Sequence, residues 1–527
     1  MDTLTGRRCV LPLLMGLPAG LLLLGCLASS ALAGGRVYWA NDGVTTSRIS
    51  FANLDGSGGG DLAGATGGAP RGVAIGVAAG KVYWTKPGNT ATDGRISFAN
   101  LDGSGGGGGY LNTTGATVNH PNAAAIYPAA GRIYWANEWG DRISFANLDN
   151  TGGGDLIVIG ATVEVPIAPM VDPGSGRIYW ANANPINVIS FASLDGSGGG
   201  DLNTGGATVA NPHGLALDPV AGRIYWANIG LGTRRTGQGI SYTSLDGSGG
   251  GNLNTAGATV NAPVGVAIDP AARRIYWANQ AGNKISFANL DGSGGGDLST
   301  PGATLKGSRS PVLLRAPGGA RRPKITGGSR AGSVLACSRG SWARDLLGSW
   351  LYRAPRSFTY SWTRNRARIA GASGNSYRAS ARGNYRCKVT ASNLAGSSSQ
   401  TSPAHAVRRR AFGAKTRVSM TVATRRIAGN GPLAVVVGNR NGFTVSGRLS
   451  ALATWRVSDL PRRRLATRPK GFVVGADARK RVTLKLSKPL ERLLRRDRKL
   501  SLLLVLKVRD PARDTRTLMK RVSLRLN

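Results

Sequence analysis

Three histidines, His120, His213 and His405, are the residues best suited to general-base or metal-binding chemistry. His120 precedes a proline and His213 follows one at corresponding places in an internal repeat, so the two are offset by one position. Because of that offset, the two histidines do not belong to a symmetric ring of side chains. Neither a Ser-His-Asp arrangement nor a two-histidine metal site is easily assembled from them. We therefore predict no catalytic residue, no bound metal, no cofactor and no enzyme activity.

A glycine-rich acidic string, first seen at 55–61 as Asp-Gly-Ser-Gly-Gly-Gly-Asp, recurs along the chain and superficially resembles a calcium loop. It lacks the ordered ligands of an EF-hand, and it does not open a helix as a phosphate-binding loop would. A hairpin between two strands is the better interpretation.

A second group of residues is suited to contacts with a ligand rather than to catalysis. Trp139 lies outside every repeated pattern and has charged neighbours, which is typical of a binding hot spot. The alternative is that Trp139 packs on a neighbouring loop. The predicted ligand-binding residues are Glu138, Trp139, Asp141, Arg142, Arg234 and Arg235.

The element that must position these residues is a repeat of 45 to 51 residues. Tyr-Trp pairs end at Trp39, Trp84, Trp135, Trp180, Trp226 and Trp277, and each is followed by a string like Ile-Ser-Phe-Ala-Asn-Leu-Asp-Gly. Each copy contains four short strand patterns separated by turn signals, which predicts propeller blades. The spacing from Trp to the next Ile varies from 8 to 14, so this segment is expected to be a surface loop on the binding face.

The two ends of the repeat region are expected to complete one blade together. The first copy lacks its first strand, and a spare strand, 311–315, follows the last copy. If this strand pairs beside 37–39, six complete blades result and both sheet edges are covered. In the other copies the first-strand pattern begins at a proline, at Pro70, Pro121, Pro166, Pro212 and Pro263. Pro311 would then be the sixth proline of this series.

The pattern Gly-Leu-Ala-Leu-Asp-Pro-Val-Ala-Gly-Arg-Ile-Tyr-Trp-Ala-Asn at 214–228 resembles the YWTD repeats of low-density-lipoprotein-receptor-type propellers. The resemblance covers residues 34–317 and implies a six-bladed propeller that binds a protein or another ligand. The final Asp of the family pattern is Asn here, for example at Asn137 and Asn228, and Lys86 in the second blade. Family properties that depend on that carboxylate are therefore not carried over.

Charge divides the chain into two parts. Residues 34–317 have 18 basic and 18 acidic side chains, whereas residues 318–527 have 47 Lys or Arg and 7 Asp or Glu, a net charge of +40. A merely solvated surface is one interpretation. We favour contact with anionic polymers of the cell envelope, and we expect no specific nucleic-acid partner because no aromatic platform for bases is evident.

Residues 318–410 show the spacing of an immunoglobulin-like domain. Cys337 and Cys387 lie 50 residues apart, Trp362 is midway, and Tyr385 comes two residues before the second cysteine. The set resembles the immunoglobulin-like modules of bacterial surface proteins, which implies a disulfide between Cys337 and Cys387. Alternating strands at 411–527, with one short helix near Leu490, predict a further basic β-sandwich.

Export is predicted from residues 1–33, where a basic start, an apolar run and Ala31-Leu32-Ala33 form a secretory signal peptide. The alternative is a lipoprotein signal with lipid on Cys26. No later stretch is long and apolar enough for a transmembrane helix.

The predicted fold is all-β: a six-bladed β-propeller (34–317), an immunoglobulin-like sandwich (318–410) and a C-terminal β-sandwich (411–527). We expect a secreted or cell-surface binding protein whose propeller recognises a protein or glycan. The two alternatives are a propeller hydrolase or lyase with a metal in its channel, and a purely structural surface protein.

Overall fold

The computed structural model describes residues 34–43, 47–66, 68–104, 108–455 and 463–527. The predicted signal peptide and Cys26 lie outside these residues. The described chain is almost entirely β and forms two compact units. The first unit contains the repeat region together with residues 342–357 and 391–398, and the second contains 319–341, 358–390 and 399–527.

The repeat region forms six antiparallel sheets of four strands, which is the predicted six-bladed β-propeller. The strands are β1 (Gly35–Asn41), β2 (Arg48–Asn53), β3 (Gly59–Thr66), β4 (Val73–Gly76), β5 (Lys81–Lys86), β6 (Arg95–Asn100), β7 (Gly109–Tyr110), β8 (Pro121–Tyr127), β9 (Arg132–Asn137), β10 (Arg142–Asn147), β11 (Gly153–Asp155), β12 (Pro166–Asp172), β13 (Arg177–Asn182), β14 (Val188–Ser193), β15 (Gly199–Asp201), β16 (Pro212–Asp218), β17 (Arg223–Asn228), β18 (Gly239–Ser244), β19 (Gly250–Asn252), β20 (Pro263–Asp269), β21 (Arg274–Asn279), β22 (Lys284–Asn289), β23 (Gly295–Asp297) and β24 (Ser308–Arg315). A short 3-10 turn, Pro128–Ala130, follows β8.

Blade one is closed by both ends of the repeat region, as predicted, because β24 pairs antiparallel with β1. The proposed proline match is wrong by three residues. Ser308 pairs with Asn41, the place that Pro212 takes opposite Asn228 in blade five. Pro311 instead falls at the irregularity between Tyr38 and Ala40, where the strand register shifts. A bulge tolerates proline because a ladder hydrogen bond is already missing there.

The repeated aromatic residues pack inside and between the blades. The tryptophan of each Tyr-Trp pair is at most 3% exposed. The basic residue before each Ile/Val-Tyr-Trp string lies over the ring of the third strand, with the cation 4.1 to 4.8 Å from the ring centre in all six blades. These cation–π contacts explain why the repeat keeps a basic residue at this position.

The centre of the propeller is filled rather than open. The first strands of the blades line it with small and apolar residues, and the space left between them is about 10 Å³, no more than one water molecule. Residues 342–357, from the region predicted as immunoglobulin-like, supply Trp350 to this lining. The Trp350 indole donates to the Leu215 carbonyl, and Leu313 N donates to the Trp350 carbonyl over 2.8 Å. The sequence did not predict this filling.

The second unit consists of sheets and one helix. In chain order, the remaining elements are β25 (Gly319–Arg321), β26 (Ile325–Gly327), β27 (Val334–Cys337), β28 (Ser341–Trp342), the 3-10 turn Leu347–Ser349, β29 (Leu351–Tyr352), β30 (Ser357–Arg364), β31 (Ala367–Arg368), β32 (Ser376–Arg378), β33 (Gly383–Asn393), β34 (Gly396–Thr401), β35 (His405–Val407), β36 (Val418–Val422), β37 (Arg426–Ile427), β38 (Leu433–Asn439), β39 (Val445–Trp455), β40 (Arg463–Ala466), β41 (Lys470–Val474), β42 (Ala478–Leu484), α1 (Lys488–Asp497), β43 (Lys499–Arg509) and β44 (Thr515–Leu526). Of these, the 3-10 turn Leu347–Ser349 and β29 belong to the first unit, and β29 pairs parallel with β24.

A disulfide between Cys337 and Cys387 joins β27 to β33, so the sheets β26-β27-β32 and β31-β30-β33-β34 are linked. Trp362 is fully buried on β30 and donates to the Gly374 carbonyl over 2.9 Å. The Tyr385 hydroxyl donates to the Ala381 carbonyl over 2.8 Å. The predicted disulfide is therefore present, while the immunoglobulin-like family assignment and the domain boundaries stay predictions.

The C-terminal part is a β-sandwich of two sheets, β36-β38-β42 and β37-β44-β43-β39-β40, with β41 on β39. The predicted short helix is α1, which begins after Ser487 with Pro489 in its first turn. Its buried side chains Leu490, Leu493 and Leu494 are spaced so that they lie on one face. That face joins the apolar core of the sandwich.

Candidate functional site

Five blades share a hydrogen-bond chain, buried at its Asn and Ser members and partly exposed at its outer member, that holds the loop entering the blade against its outer strand. In blade three, Asn137 donates to Ser144 Oγ over 2.7 Å, and Ser144 donates to Asp155 over 2.6 Å. Asp155 accepts from the backbone and hydroxyl of Thr117, whose carbonyl accepts from the Trp135 indole over 2.9 Å. We call this the Asn-Ser-Asp chain. It is repeated in the other blades at Asn41-Ser50-Asp61, Asn182-Ser190-Asp201, Asn228-Ser241-Asn252 and Asn279-Ser286-Asp297.

This chain explains why Asn, rather than Asp, stands at the end of the second strand in these five blades. Asn137 must donate to Ser144 and also accept, from Asn119 N at 2.8 Å and from the Trp135 indole at 3.2 Å. An amide has both a donor and an acceptor, whereas an ionised carboxylate only accepts. The negative charge of the chain lies on the outer strand instead, in four of the five blades.

The same contacts place two sets of loops at one face of the propeller. The loop entering β8 contacts Asn137 at the end of β9, where the loop to β10 begins. We call this the upper face.

Blade two replaces two members of the chain. Strand register puts Lys86 opposite Arg95, at the Asn position, and Tyr110 opposite Ser97, at the Asp position. Neither side chain can reproduce the chain. Tyr110 is 62% exposed, and the Lys86 side chain lies against Gly68, where an added Cβ would be 1.8 Å from its Cε.

These replacements line a cleft on the upper face of blades two and three. Its volume is about 790 Å³. Arg71, Lys86 and Arg95 supply positive charge, while Tyr110 and Trp139 supply aromatic surface. Asp93 also lines the cleft, but its carboxylate accepts from Asn89 N and Thr90 N within its own loop. We call this the blade-two cleft.

One wall of the cleft is held by a network around Glu138. One carboxylate oxygen contacts Arg71 at 2.6 Å, Asn122 at 3.0 Å and His120 Nδ1 at 3.1 Å. Burial opposes ionisation of Glu138, but the hydrogen bonds from His120 and Asn122 and the charge of Arg71 outweigh it and lower its pKa to about 2. The carboxylate is therefore charged at neutral pH.

Trp139 lies directly on this network. Its ring is parallel to the His120 ring, with the centres 3.8 Å apart and an angle of 2° between the planes. The residue remains 57% exposed. One face of the indole is thus covered by a side chain that Glu138 holds in place, and the rest can be contacted from the cleft.

A second charged group lies on the upper face beside the filled channel. Arg309 is 8% exposed, and its Nε contacts Asp42 at 2.5 Å. Burial and the charge of Arg309 lower the pKa of His213 to about 4, and His213 Nδ1 donates to the Asn211 carbonyl over 3.2 Å. His213 is therefore neutral at pH 7.

The six residues proposed as binding residues are divided by the structure. Trp139 lines the blade-two cleft, and Glu138 contacts Arg71 and His120 of its lining. Asp141 accepts from Val165 N over 2.8 Å and supports a neighbouring loop, while Arg142 pairs with Asp155 at 3.6 Å beside the Asn-Ser-Asp chain. Arg234 and Arg235 belong to the loop after β17 in blade five, where Arg235 contacts Asn261 at 2.6 Å.

Sequence reasoning missed Arg71, Arg95, Asn122 and Tyr110 as site residues and set His120 aside. A signal for blade two was present. Its copy has Lys86 in place of Asn, and its glycine run is two residues longer, so that Ile96 and Leu111 are 15 residues apart rather than 13.

Neither a protein-family model nor a curated protein matches the sequence. Among solved structures, the chain resembles a propeller in a nidogen/laminin complex, with 17% identity, 53% of this chain and 98% of that chain covered, and a TM-score of 0.41. It also resembles the periplasmic gluconolactonase of Pseudomonas aeruginosa (10% identity, 53% and 99% covered, TM-score 0.34) and a gluconolactonase of Xanthomonas campestris (16% identity, 45% and 75% covered, TM-score 0.34).

The comparisons contradict the prediction that the chain is not an enzyme, because propellers named as lactonases are among the similar structures. We withdraw that prediction. Within the described residues, no three His, Cys, Asp or Glu side chains are grouped so that they could hold a metal ion. In the same residues, no helix has the length and apolar character needed to cross a membrane.

Proposed function

We propose that the propeller binds a glycan with anionic groups in the blade-two cleft, and that the chain acts as a secreted or cell-surface binding protein. The observation that supports this is the exposed Trp139 ring, fixed on His120 in the same cleft as the cations Lys86 and Arg95. A flat aromatic surface packs against the apolar face of a sugar ring, while Arg and Lys recognise its acidic substituents.

Rigidity of the Trp139 ring favours binding. A side chain already ordered in the free protein loses little conformational freedom when a ligand arrives, and that loss otherwise weakens binding by roughly 0.5–1.5 kcal/mol for each ordered side chain. The Glu138 network orders His120, and His120 in turn orders Trp139. The cleft is therefore prepared before the ligand binds.

The second half of the proposal concerns the +40 charge of residues 318–527. Like charges at this density repel one another, and an anionic partner removes that repulsion. We propose that this half contacts anionic polymers of the cell envelope. A disulfide in the second unit suits an oxidising, extracellular environment.

The test of the propeller site is calorimetric titration of the purified full chain with oligogalacturonate, using neutral galactose oligomers of the same length as the comparison. We expect saturable binding of the acidic oligomer and a loss of at least about tenfold in Trp139→Ala, about 1.4 kcal/mol. Arg234→Gln, an exposed cation in blade five, is the matched control and should bind like the wild type.

Three results would overturn the proposal. Equal losses in Trp139→Ala and Arg234→Gln would show that binding is not located in the blade-two cleft. Hydrolysis of gluconolactone by the wild type, lost in Trp139→Ala, would replace binding by catalysis as the function of this cleft. Binding of a protein without any glycan binding would leave the upper face as the site but change the ligand class.

A further inference from the structure

A second cleft, in the C-terminal β-sandwich, has its own charge pattern. It is lined by residues of β39, β41, β43 and β44 and by Lys480 of β42, which belongs to the other sheet of the sandwich, and its volume is about 830 Å³. Four basic side chains line it, Arg448, Lys480, Lys507 and Arg509, and no acidic residue does. We call it the basic cleft.

Strand register brings the cations together. Arg448 on β39 pairs directly with Lys507 on β43, and Arg509 pairs with Ser446 two residues further along. Side chains two residues apart on a strand point to the same face, about 7 Å from each other. The cleft therefore presents positive charges at regular intervals along the strands.

Nothing in the described part of the sandwich neutralises these charges. None of the four cations forms an ion pair with a described Asp or Glu, and all four side chains are exposed. Like charges directly opposite each other in a sheet destabilise it. A position where a folding rule is broken without local compensation is characteristic of a functional site.

The neighbouring surface shapes the cleft for a chain-like ligand. Gly471 on β41 pairs with Arg448 on the side of β39 away from β43. Because glycine has no side chain, the surface is recessed at that point. Val473, 54% exposed, adds an apolar contact along the same strand. The lining is therefore an open groove, with cations along β39 and β43 and small or apolar residues along β41.

We infer that the basic cleft binds a linear polymer of phosphate groups. The inference depends on the proposed contact between the basic half and anionic envelope polymers, and it locates that contact. Each phosphate group has two non-bridging oxygens that can accept from Arg448 and Lys507, and the groups repeat along the polymer as the cations repeat along the strands. Arg and Lys are both established phosphate-binding side chains.

The experiment measures binding of the full chain to long-chain polyphosphate, with polyglutamate as the carboxylate probe, across a salt series. The test variant carries Arg448→Gln, Lys507→Gln and Arg509→Gln. The control variant carries Lys485→Gln, Lys488→Gln and Arg492→Gln, three exposed cations of the same sandwich outside the cleft. Both variants therefore lose the same charge, and thermal unfolding of each confirms that the sandwich is folded.

We expect the test variant to lose at least about tenfold in affinity for polyphosphate at low salt, and its plot of log affinity against log salt to become less steep by about 2. The control should keep the wild-type slope. A Lys507→Arg variant, which keeps the charge, should bind like the wild type.

Each other result overturns the inference in a distinct way. Equal losses in the test and control variants would leave polyanion binding in place but remove the basic cleft as its site. Stronger binding of polyglutamate than of polyphosphate would replace the ligand class. Failure of the wild type to bind either polymer would overturn both this inference and the proposed envelope contact.

Discussion

Blade two and the other five propeller blades have the same strand framework, but they differ in the hydrogen bonds that hold the loop entering the blade. In five blades the Asn-Ser-Asp chain connects the second, third and fourth strands to the entering loop. In blade two, Lys86 and Tyr110 occupy two positions of that chain. The space that the chain would close is part of the blade-two cleft.

The difference shows how a repeat protein can gain a site without changing its fold. The Tyr-Trp packing and the strand register of blade two match those of the other blades, so the core of the blade is preserved. Only polar positions near the upper face have changed. Loss of one hydrogen-bond chain is tolerated because the neighbouring blades retain theirs.

The largest expected effect comes from breaking the chain where it is intact. Asn137 is fully buried and makes hydrogen bonds with Ser144, Asn119 and Trp135. Asn137→Ala should lower the free energy of unfolding by about 3 kcal/mol, because several buried partners lose their hydrogen bonds.

The matched change in blade two is Lys86→Ala, at the corresponding position. It should alter stability by no more than about 0.5 kcal/mol, since no buried chain depends on Lys86. Urea unfolding of both variants checks the pair. Similar losses in the two would contradict the view that blade two lacks this support.

A smaller effect is expected from the wall of the cleft. Glu138→Gln should destabilise the protein by about 2 kcal/mol at pH 7, because it removes the charge that Arg71 contacts. The pKa of Glu138 falls from 4.5 to about 2 on folding. Its contribution is therefore complete above about pH 4.5 and is lost as the pH falls towards 2.

The measurement is thermal unfolding of wild type and Glu138→Gln from pH 7 to pH 2. The difference between the two proteins should shrink as the pH is lowered through this window. A difference that stays constant with pH would show that the Glu138 charge does not stabilise the network.

The comparison can also be reversed by rebuilding the missing chain. Lys86→Asn together with Tyr110→Asp places the usual residues on either side of Ser97. We expect stability to rise by about 1 kcal/mol, as a buried hydrogen bond to a charged group provides. Binding of oligogalacturonate should fall at least tenfold, about 1.4 kcal/mol, because a cation and an aromatic ring leave the cleft.

Two readouts from this one variant separate the alternatives. Calorimetry measures the affinity for oligogalacturonate, and urea unfolding measures whether the rebuilt Asn-Ser-Asp chain stabilises the protein. A more stable protein that still binds would show that Lys86 and Tyr110 are not needed in the cleft. Unchanged stability would mean that the chain has not been rebuilt.

The smallest effect is expected from Asp155→Asn in blade three. Blade five already has Asn252 at this position, where it accepts from Ser241 and from Thr208 N. The Arg142 contact that would be lost is 3.6 Å long with Arg142 60% exposed, so it stabilises little. Thermal unfolding should detect a change below about 0.5 kcal/mol, while Asp155→Ala, which removes the acceptor, should cost about 1–2 kcal/mol.

The sequence by itself determined the number of blades, their strands and the closure of blade one. These follow from local patterns repeated at a fixed period, and each blade imposes the same pairing on its strands. The disulfide and the buried Trp362 were also visible as spacings. Trp139 was recognised as exceptional because it stands outside the repeat.

Only the tertiary structure decided which side chains meet at the upper face. Arg71, His120 and Glu138 belong to three different connections, separated by up to 67 residues, and nothing in their local spacing shows that one carboxylate contacts both. The same holds for Trp350, which fills the propeller centre from outside the repeat. Repetition encodes a blade locally, whereas contacts between loops and across blades arise only when the ring closes.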